Sequence, residues 1–289
     1  MTTPTESGFT FTEAALPYGR TGVQIAVRVD EVLHDEHSAY GHVQVFDTPF
    51  FGRMLVIDGI IQTTELDEFV YHEMLVLPPC LAFGRPANLL IVGGGDGGAL
   101  RQAVKVSSLR RIVAVDIDPL VTEVSRRHLP AVSGGAFDDP RVELLHADGA
   151  RYVRECGERF DVVILDLTDP VPGGPAEALF DAPFLQQVRR VLAPGGLVAM
   201  QTGSLVLQPE EVRQTQQCLA AVFATTRLHA AVVPAYQLSL FGFLLAGDRQ
   251  LAEPRQMFTD GAAVLDEPLQ FLSADALVAT ALIPGAHGF

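Results

Sequence analysis

The spacing of apolar and polar positions changes twice along the chain. From Phe9 to about Glu65 apolar residues come in short alternating runs, VQIAVRV, GHVQVFDT and RMLVIDGIIQTT, separated by turn residues, which predicts a small antiparallel sheet. At DEFVYHEMLVLPPCLAF the period becomes helical, with Asp67 and Glu68 suited to the helix N-terminus and Pro78-Pro79 expected to disturb its later turns. Beyond Pro86 the continuous apolar runs ANLLIVGGG, RRIVAVDID, RVELLHADG, FDVVILDLTDP and GGLVAMQTG alternate with helical stretches. Strands with no polar face are buried on both sides, so this half predicts an α/β fold with a parallel, doubly wound sheet. The implied division is a β-domain over residues 1–66 and a catalytic domain over 67–289, in which residues 249–289 form a tail of short segments.

One apolar stretch could suggest another environment. AAVVPAYQLSLFGFLLAG, Ala230 to Gly247, is interrupted by Pro234, Tyr236, Gln237 and Ser239, so it reads as two buried strands around a turn and not as a membrane span. The leading MTTPTESGFTFTEAALPYGR has no basic flank followed by an apolar stretch, so no signal peptide is expected. Cys80, Cys156 and Cys218 lie far apart with no C-x-x-C pair, which signals neither disulfides nor a zinc site and makes a reducing cytosol the expected compartment. Acidic residues outnumber basic ones by 35 to 20, a net charge of -15. That balance argues against a nucleic-acid surface and favours cationic small molecules. His34, His37 and His42 crowd the N-terminal strands, where exposed or packed imidazoles are the expectation and a metal site is not.

The chemistry concentrates at the ends of the apolar runs, where open α/β sheets bind ligands. In IVGGGDGGALR, Gly93, Gly95 and Gly98 fit G-x-G-x-x-G, a turn that lets a ligand approach the backbone. Asp96 in its middle would repel a pyrophosphate. Asp116, about 20 residues on, is placed to take both ribose hydroxyls. Asp148, beside Gly149 in HADGA, could accept from an adenine amino group or merely cap the following helix. An adenosyl compound without phosphate but with positive charge suits this set. Decarboxylated S-adenosylmethionine has a sulfonium and an ammonium tail that Asp96 could pair with. At the next strand end Asp166 and Asp169 stand three apart in LDLTDP. An aliphatic amine, with a pKa near 10.4 by analogy with lysine, must lose a proton before attacking the carbon next to sulfur. A carboxylate there can orient the ammonium and take its proton, and the neutral thioether leaves without an acid or a metal. Asp169 could alternatively cap loop N–H groups, Tyr71 could be core, and Tyr236 a turn aromatic.

With LDGIIQTTELDEFVYHEM, GGGDGGALR, VDIDPLV, HADGA, LDLTDPV, GPAEALF and VVPAYQ in that order, the chain resembles the spermidine synthase family of polyamine aminopropyltransferases. The resemblance implies a Rossmann-like, methyltransferase-type doubly wound sheet behind a small N-terminal antiparallel β-domain, in a homodimer or homotetramer of the cytoplasm. It implies transfer of an aminopropyl group from decarboxylated S-adenosylmethionine, as co-substrate with no further cofactor and no metal, to a diamine such as putrescine, yielding spermidine and methylthioadenosine. By the same resemblance Asp96 binds the donor amine, Asp116 its ribose and Asp148 its adenine, while Asp166 is the base. Gln62, Tyr71, Asp169 and Tyr236 fall on positions that line the donor and acceptor channel. The partners implied are a small amine acceptor and a second copy of the chain, with no nucleic acid or membrane.

The chain departs from the family pattern at Gly41, where a glutamine touching the donor tail is usual, at Leu66 for an arginine, Leu167 for a serine, Gln237-Leu238 for a proline-containing turn, and in the longer DPVPGGPAE. These changes cluster at the donor tail and acceptor side. They leave open agmatine, cadaverine or a longer polyamine as acceptor, an S-adenosylmethionine-dependent amine N-methyltransferase on the same scaffold, and a non-catalytic nucleoside-binding homologue.

Overall fold

The computed structural model describes residues 8–15, 22–170, 173–174 and 176–281. Much of the leading segment, Val171, Pro172 and Pro175 of the DPVPGGPAE stretch, and Leu282 to Phe289 of the tail lie outside the described residues.

The N-terminal strands make two antiparallel sheets where one was expected. Strands β1 (Phe9–Thr12) and β2 (Ala26–Val29) pair as a ribbon. β3 (Glu31–His37), β4 (His42–Thr48), β5 (Gly52–Ile57) and β6 (Ile60–Thr64) form a four-stranded meander. Asp58 and Gly59 join β5 to β6 with φ of +51° and +78°, the two-residue left-handed turn that matches strand twist. Of the three histidines flagged in the sequence, His37 is exposed and stacks on half-buried His42 at 4.0 Å, His42 contacts Asp35 at 2.7 Å, and half-buried His34 lies against His128 at 5.9 Å.

Helix α1 (Glu68–Phe83) follows, and it runs unbroken through Pro78 and Pro79, contrary to the expected disturbance. Both prolines lack the N–H that would close a helical bond, but every residue from Val70 to Leu81 is buried, against α2, α8 and the main sheet, and this packing holds the helix together. The succession then runs β7 (Asn88–Gly93), α2 (Gly98–Val104), β8 (Arg111–Asp116), α3 (Pro119–His128), α4 (Pro130–Ser133), β9 (Val142–His146), α5 (Gly149–Glu155), β10 (Phe160–Asp166), α6 (Ala182–Val191), β11 (Leu192–Ser204), α7 (Pro209–Val222), β12 (Thr225–Val233), β13 (Ser239–Gly247), α8 (Pro254–Gly261) and α9 (Ala274–Ala281). Among its described residues the tail thus contributes two α-helices. It is anchored where buried Glu73 of α1 accepts the backbone N–H groups of Gln270, Phe271 and Leu272 at 2.8–2.9 Å.

The seven main strands are ordered β12-β13-β11-β10-β7-β8-β9. The sheet is mixed and not wholly parallel, because β13 runs against both β11 and β12. The turn from Pro234 to Leu238 is too short for a crossover, so β13 can only return antiparallel. Ala230 to Gly247 accordingly forms the two buried strands and turn read from its sequence. Apolar cores cover both faces of the sheet. A smaller one joins the meander to α3 through Val43, Val45, Leu55, Val121 and Val124. Successive strands move outward from β7 to β9, then return to β10 on the other side of β7. The carboxyl ends of β7 and β10 are therefore the switch point where such sheets open a crevice.

Candidate active site

A cavity of about 630 Å³ opens at that switch point and is roofed by the meander. All eleven residues assigned to the site from sequence line it: Gln62, Tyr71, Gly93, Gly95, Asp96, Asp116, Asp148, Gly149, Asp166, Asp169 and Tyr236. Asp96 and Asp166, whose separation into different cavities would have broken the reading, face the same space. Gly93 pairs with Asp166 across the two strands and has φ +85°. A Cβ there would come within 1.9 Å of the Asp166 carbonyl oxygen, so only glycine lets the strand ends meet.

Asp96 follows in the turn, its Oδ1 accepting from Gly98 N at 2.8 Å. Its Oδ2 lies 3.6 Å from Nε2 of His72, a residue only 2% exposed. A Cβ on Gly98 would stand 2.1 Å from that imidazole ring, so this glycine is the seat of His72. The other ring nitrogen, Nδ1, meets Glu68 Oε2 at 2.8 Å, and Glu68 is paired in turn with Arg101. Burial opposes a charged imidazole, but Asp96 and Glu68 outweigh it and hold the His72 pKa well above its usual value. Burial likewise raises Asp96, and there His72 prevails and lowers it.

Asp116 ends β8 with Oδ1 accepting from Asp118 N at 2.8 Å, and burial raises its pKa. Asp148 is the N-cap of α5, accepting from Arg151 N at 3.1 Å, while also lining the cavity. Capping is thus one role of this residue, and it does not take the carboxylate away from the cavity wall. Asp166 ends β10 and accepts the Tyr71 hydroxyl at 2.7 Å. Burial is the largest influence on it and lifts its pKa to about 6; Asp96 and Asp116 add to the rise, and His72 and the Tyr71 hydroxyl oppose it.

On the other side of Asp166 the wall is aromatic. Tyr71 and Tyr236 meet edge to face at 5.7 Å, and the Tyr236 hydroxyl donates to the Gln62 carbonyl oxygen at 2.5 Å. The Asp169 carboxylate accepts from Gln201 Nε2 at 3.3 Å and Gln208 Nε2 at 3.0 Å. Glu13 closes the far end, accepting from Ile61 N at 3.1 Å and Gln237 Nε2 at 2.8 Å. Burial raises the Glu13 pKa, and the Asp169 charge adds to the rise. Asp67 is the helix N-cap by position but does not cap with its side chain. Its buried carboxylate instead accepts from Thr64 Oγ1 and from Ala235 N, both at 2.6 Å.

Sequence reasoning did not select Glu13, His72, Glu68, Arg101, Gln201 or Gln208. The i,i+4 spacing of Glu68 and His72 on one helix was a usable signal. The others come from distant segments with no distinguishing spacing.

The comparisons agree with this geometry. Residues 68–254 match the family model of the spermine/spermidine synthase domain, and residues 11–65 match that of the spermidine synthase tetramerisation domain. The second match supports a homo-oligomer. Polyamine aminopropyltransferase 1 of Pseudomonas aeruginosa is 46% identical over 208 residues, 72% of each chain. Polyamine aminopropyltransferase of a Thermoanaerobacter species is 40% identical over 227 residues, 78% of this chain and 81% of the relative. Spermidine synthase from Thermotoga maritima superposes with a TM-score of 0.86 at 29% identity, covering 96% of this chain and 91% of that one. A spermidine synthase in complex with the transition state analogue AdoDATO gives 0.87 at 29% identity, covering 96% and 92%. No helix among the described residues is long and apolar enough to cross a membrane. A Rossmann-like sheet with acids at its switch point, and relatives of this closeness over most of their length, establish that the chain belongs to the spermidine synthase family of polyamine aminopropyltransferase enzymes.

Proposed function

We propose that the chain moves the aminopropyl group of decarboxylated S-adenosylmethionine to a diamine such as putrescine, releasing methylthioadenosine and spermidine. The observation that carries this reading is that Asp96 and Asp166 share one cavity whose other wall is the Tyr71–Tyr236 pair. In it Asp116 takes the ribose hydroxyls, Asp148 the adenine amino group and Asp96 the donor's ammonium, while Gln62, Gly93, Gly95 and Gly149 shape the donor's bed.

The acceptor lies along the tyrosines with one nitrogen at Asp166 and its second ammonium toward Asp169 and Glu13. Asp166 takes the proton from the near nitrogen, whose lone pair attacks the carbon bound to sulfur. The carbon–sulfur bond breaks, its electron pair staying on sulfur, and a neutral thioether leaves. Burial narrows the proton-transfer gap from both sides, because it raises a carboxyl and lowers an amine. No metal or cofactor beyond the co-substrate is needed for this step. The assembly is proposed as a homodimer or homotetramer of the cytoplasm.

Methyl transfer from intact S-adenosylmethionine is disfavoured by one observation. A side chain at Gly41 would have its Cβ 2.8 and 3.2 Å from the two Asp58 carboxylate oxygens, so a donor carboxylate placed beside Gly41 would meet an acid. Mass spectrometry after incubation with each donor and a panel of putrescine, cadaverine, agmatine and spermidine tests the reading. Aminopropylated product from the decarboxylated donor is expected; methylated product, or none, overturns it.

A further inference from the structure

His72 carries a charge that the proposed chemistry does not use. Its two ring nitrogens face two carboxylates, Glu68 at 2.8 Å and Asp96 at 3.6 Å. A neutral imidazole has a single N–H and can donate to only one of them, whereas an imidazolium donates to both. The groups facing it are Glu68 from its own helix, Asp96 from the β7–α2 turn, Asp166 from β10 and the edge-on ring of Tyr71 at 5.1 Å. A ring nitrogen of His72 and carboxylate oxygens of Asp96 and Asp166 all lie within 4.8 Å of one another. Arg101 approaches only the far side of Glu68, where it also donates to Ala131 O at 3.0 Å. Among the described residues the imidazolium is thus the cation nearest to Asp96.

An ammonium arriving at Asp96 would put a second cation within a few ångströms of the first, in a space where water screens little. Two cations competing for the Asp96 carboxylate at that spacing repel each other, and the imidazolium is the one that can discharge near neutral pH. We infer that His72 is a place-holding cation, protonated in the empty site, which releases its proton to solvent when the donor's primary ammonium takes its position beside Asp96. The proton leaves from Nε2, while Nδ1–H stays on Glu68. The freed Nε2 lone pair then accepts from the ammonium, which keeps all its protons. The total charge around Asp96 is the same before and after, so Asp96 has one cation beside it in both states. The Glu68–Arg101 pair is the positioning element that fixes the tautomer. This inference rests on the donor assignment made above.

Isothermal calorimetry of the full-length protein at about pH 8, in buffers of different ionisation enthalpy, counts the protons released per ligand bound. Decarboxylated S-adenosylmethionine is expected to release about one proton, and methylthioadenosine, which has no ammonium, close to none. In His72→Gln the donor should bind more weakly and release close to none. Donor binding without buffer dependence overturns the inference while leaving the donor assignment intact, as does equal release with methylthioadenosine or in His72→Gln. Failure of the donor to bind at all overturns the donor assignment and this inference with it. The comparison of two ligands on the unmodified protein decides the matter even if His72→Gln does not fold.

Discussion

Asp166 is where structure and chemistry pull against each other. A carboxyl that titrates near 3.8 in the unfolded chain and at about 6 in the folded one disfavours folding once it is ionised. Well below pH 4 both states are protonated and the penalty is absent; it accumulates as pH rises from about 4 to 6 and is complete above that. Asp166→Asn, which can still accept from Tyr71, is therefore expected to stabilise the protein by on the order of 2–3 kcal/mol at neutral pH. The gain should shrink as pH falls through 6, and thermal melts across that range read it. The same variant should lose turnover by roughly 10²–10⁴-fold while still binding methylthioadenosine; retained turnover would remove Asp166 from the role of base. In the unmodified enzyme kcat/KM should decline on the acid side as Asp166 takes up a proton near pH 6. The Tyr71 hydroxyl opposes the rise of Asp166, so Tyr71→Phe should move this acid limb upward. A limb that stays in place in Tyr71→Phe would show that another group sets it.

At the level of elements, Asp67 fastens the piece that carries Tyr236. It joins the end of β6 to the β12–β13 turn through Thr64 and Ala235 N, so the acceptor wall is braced from the N-terminal sheet. Asp67→Ala leaves a buried N–H without a partner and is expected to cost about 1–3 kcal/mol of stability. Asp67→Asn keeps one acceptor and should cost less. In both, KM for the amine should rise several-fold with donor affinity little changed, because the donor side is built on β7, β8 and α5; equal loss of both affinities would refute the division. The alternation of elements was legible because each inner strand is apolar on both faces. The reversal of β13 was not read from it, since apolar runs look alike in either direction, and only the short turn dictates the sense. Neither was the continuity of α1, because a proline pair predicts a break unless burial on every side is known. Two N-terminal sheets in place of one likewise follow from which strands pair, which alternation alone does not specify.

Across the whole molecule, the acids at strand ends could be read from the sequence because a switch-point crevice collects consecutive strand termini, so Asp96, Asp116, Asp148 and Asp166 had a common address. Glu13, Gln201 and Gln208 reach the cavity from a strand end, a strand and a loop, and His72 stands behind Asp96 on a helix, segments that only folding brings together. The acids of the site are part of a chain carrying a net charge of -15. Under the proposed function both substrates arrive as cations, and a field of one sign concentrates them before any contact is made. Salt screens that field over about 10 Å at 0.1 M, but screens the short contacts inside the cavity much less. Raising the salt from about 10 to 300 mM should therefore lower kcat/KM for the amine by several-fold and leave kcat nearly unchanged. Methylthioadenosine carries no net charge, so its inhibition constant should hardly move and serves as the internal standard. A kcat/KM for the amine as insensitive to salt as that constant would mean that capture is governed within the cavity alone, and that the acidic surface has no part in it.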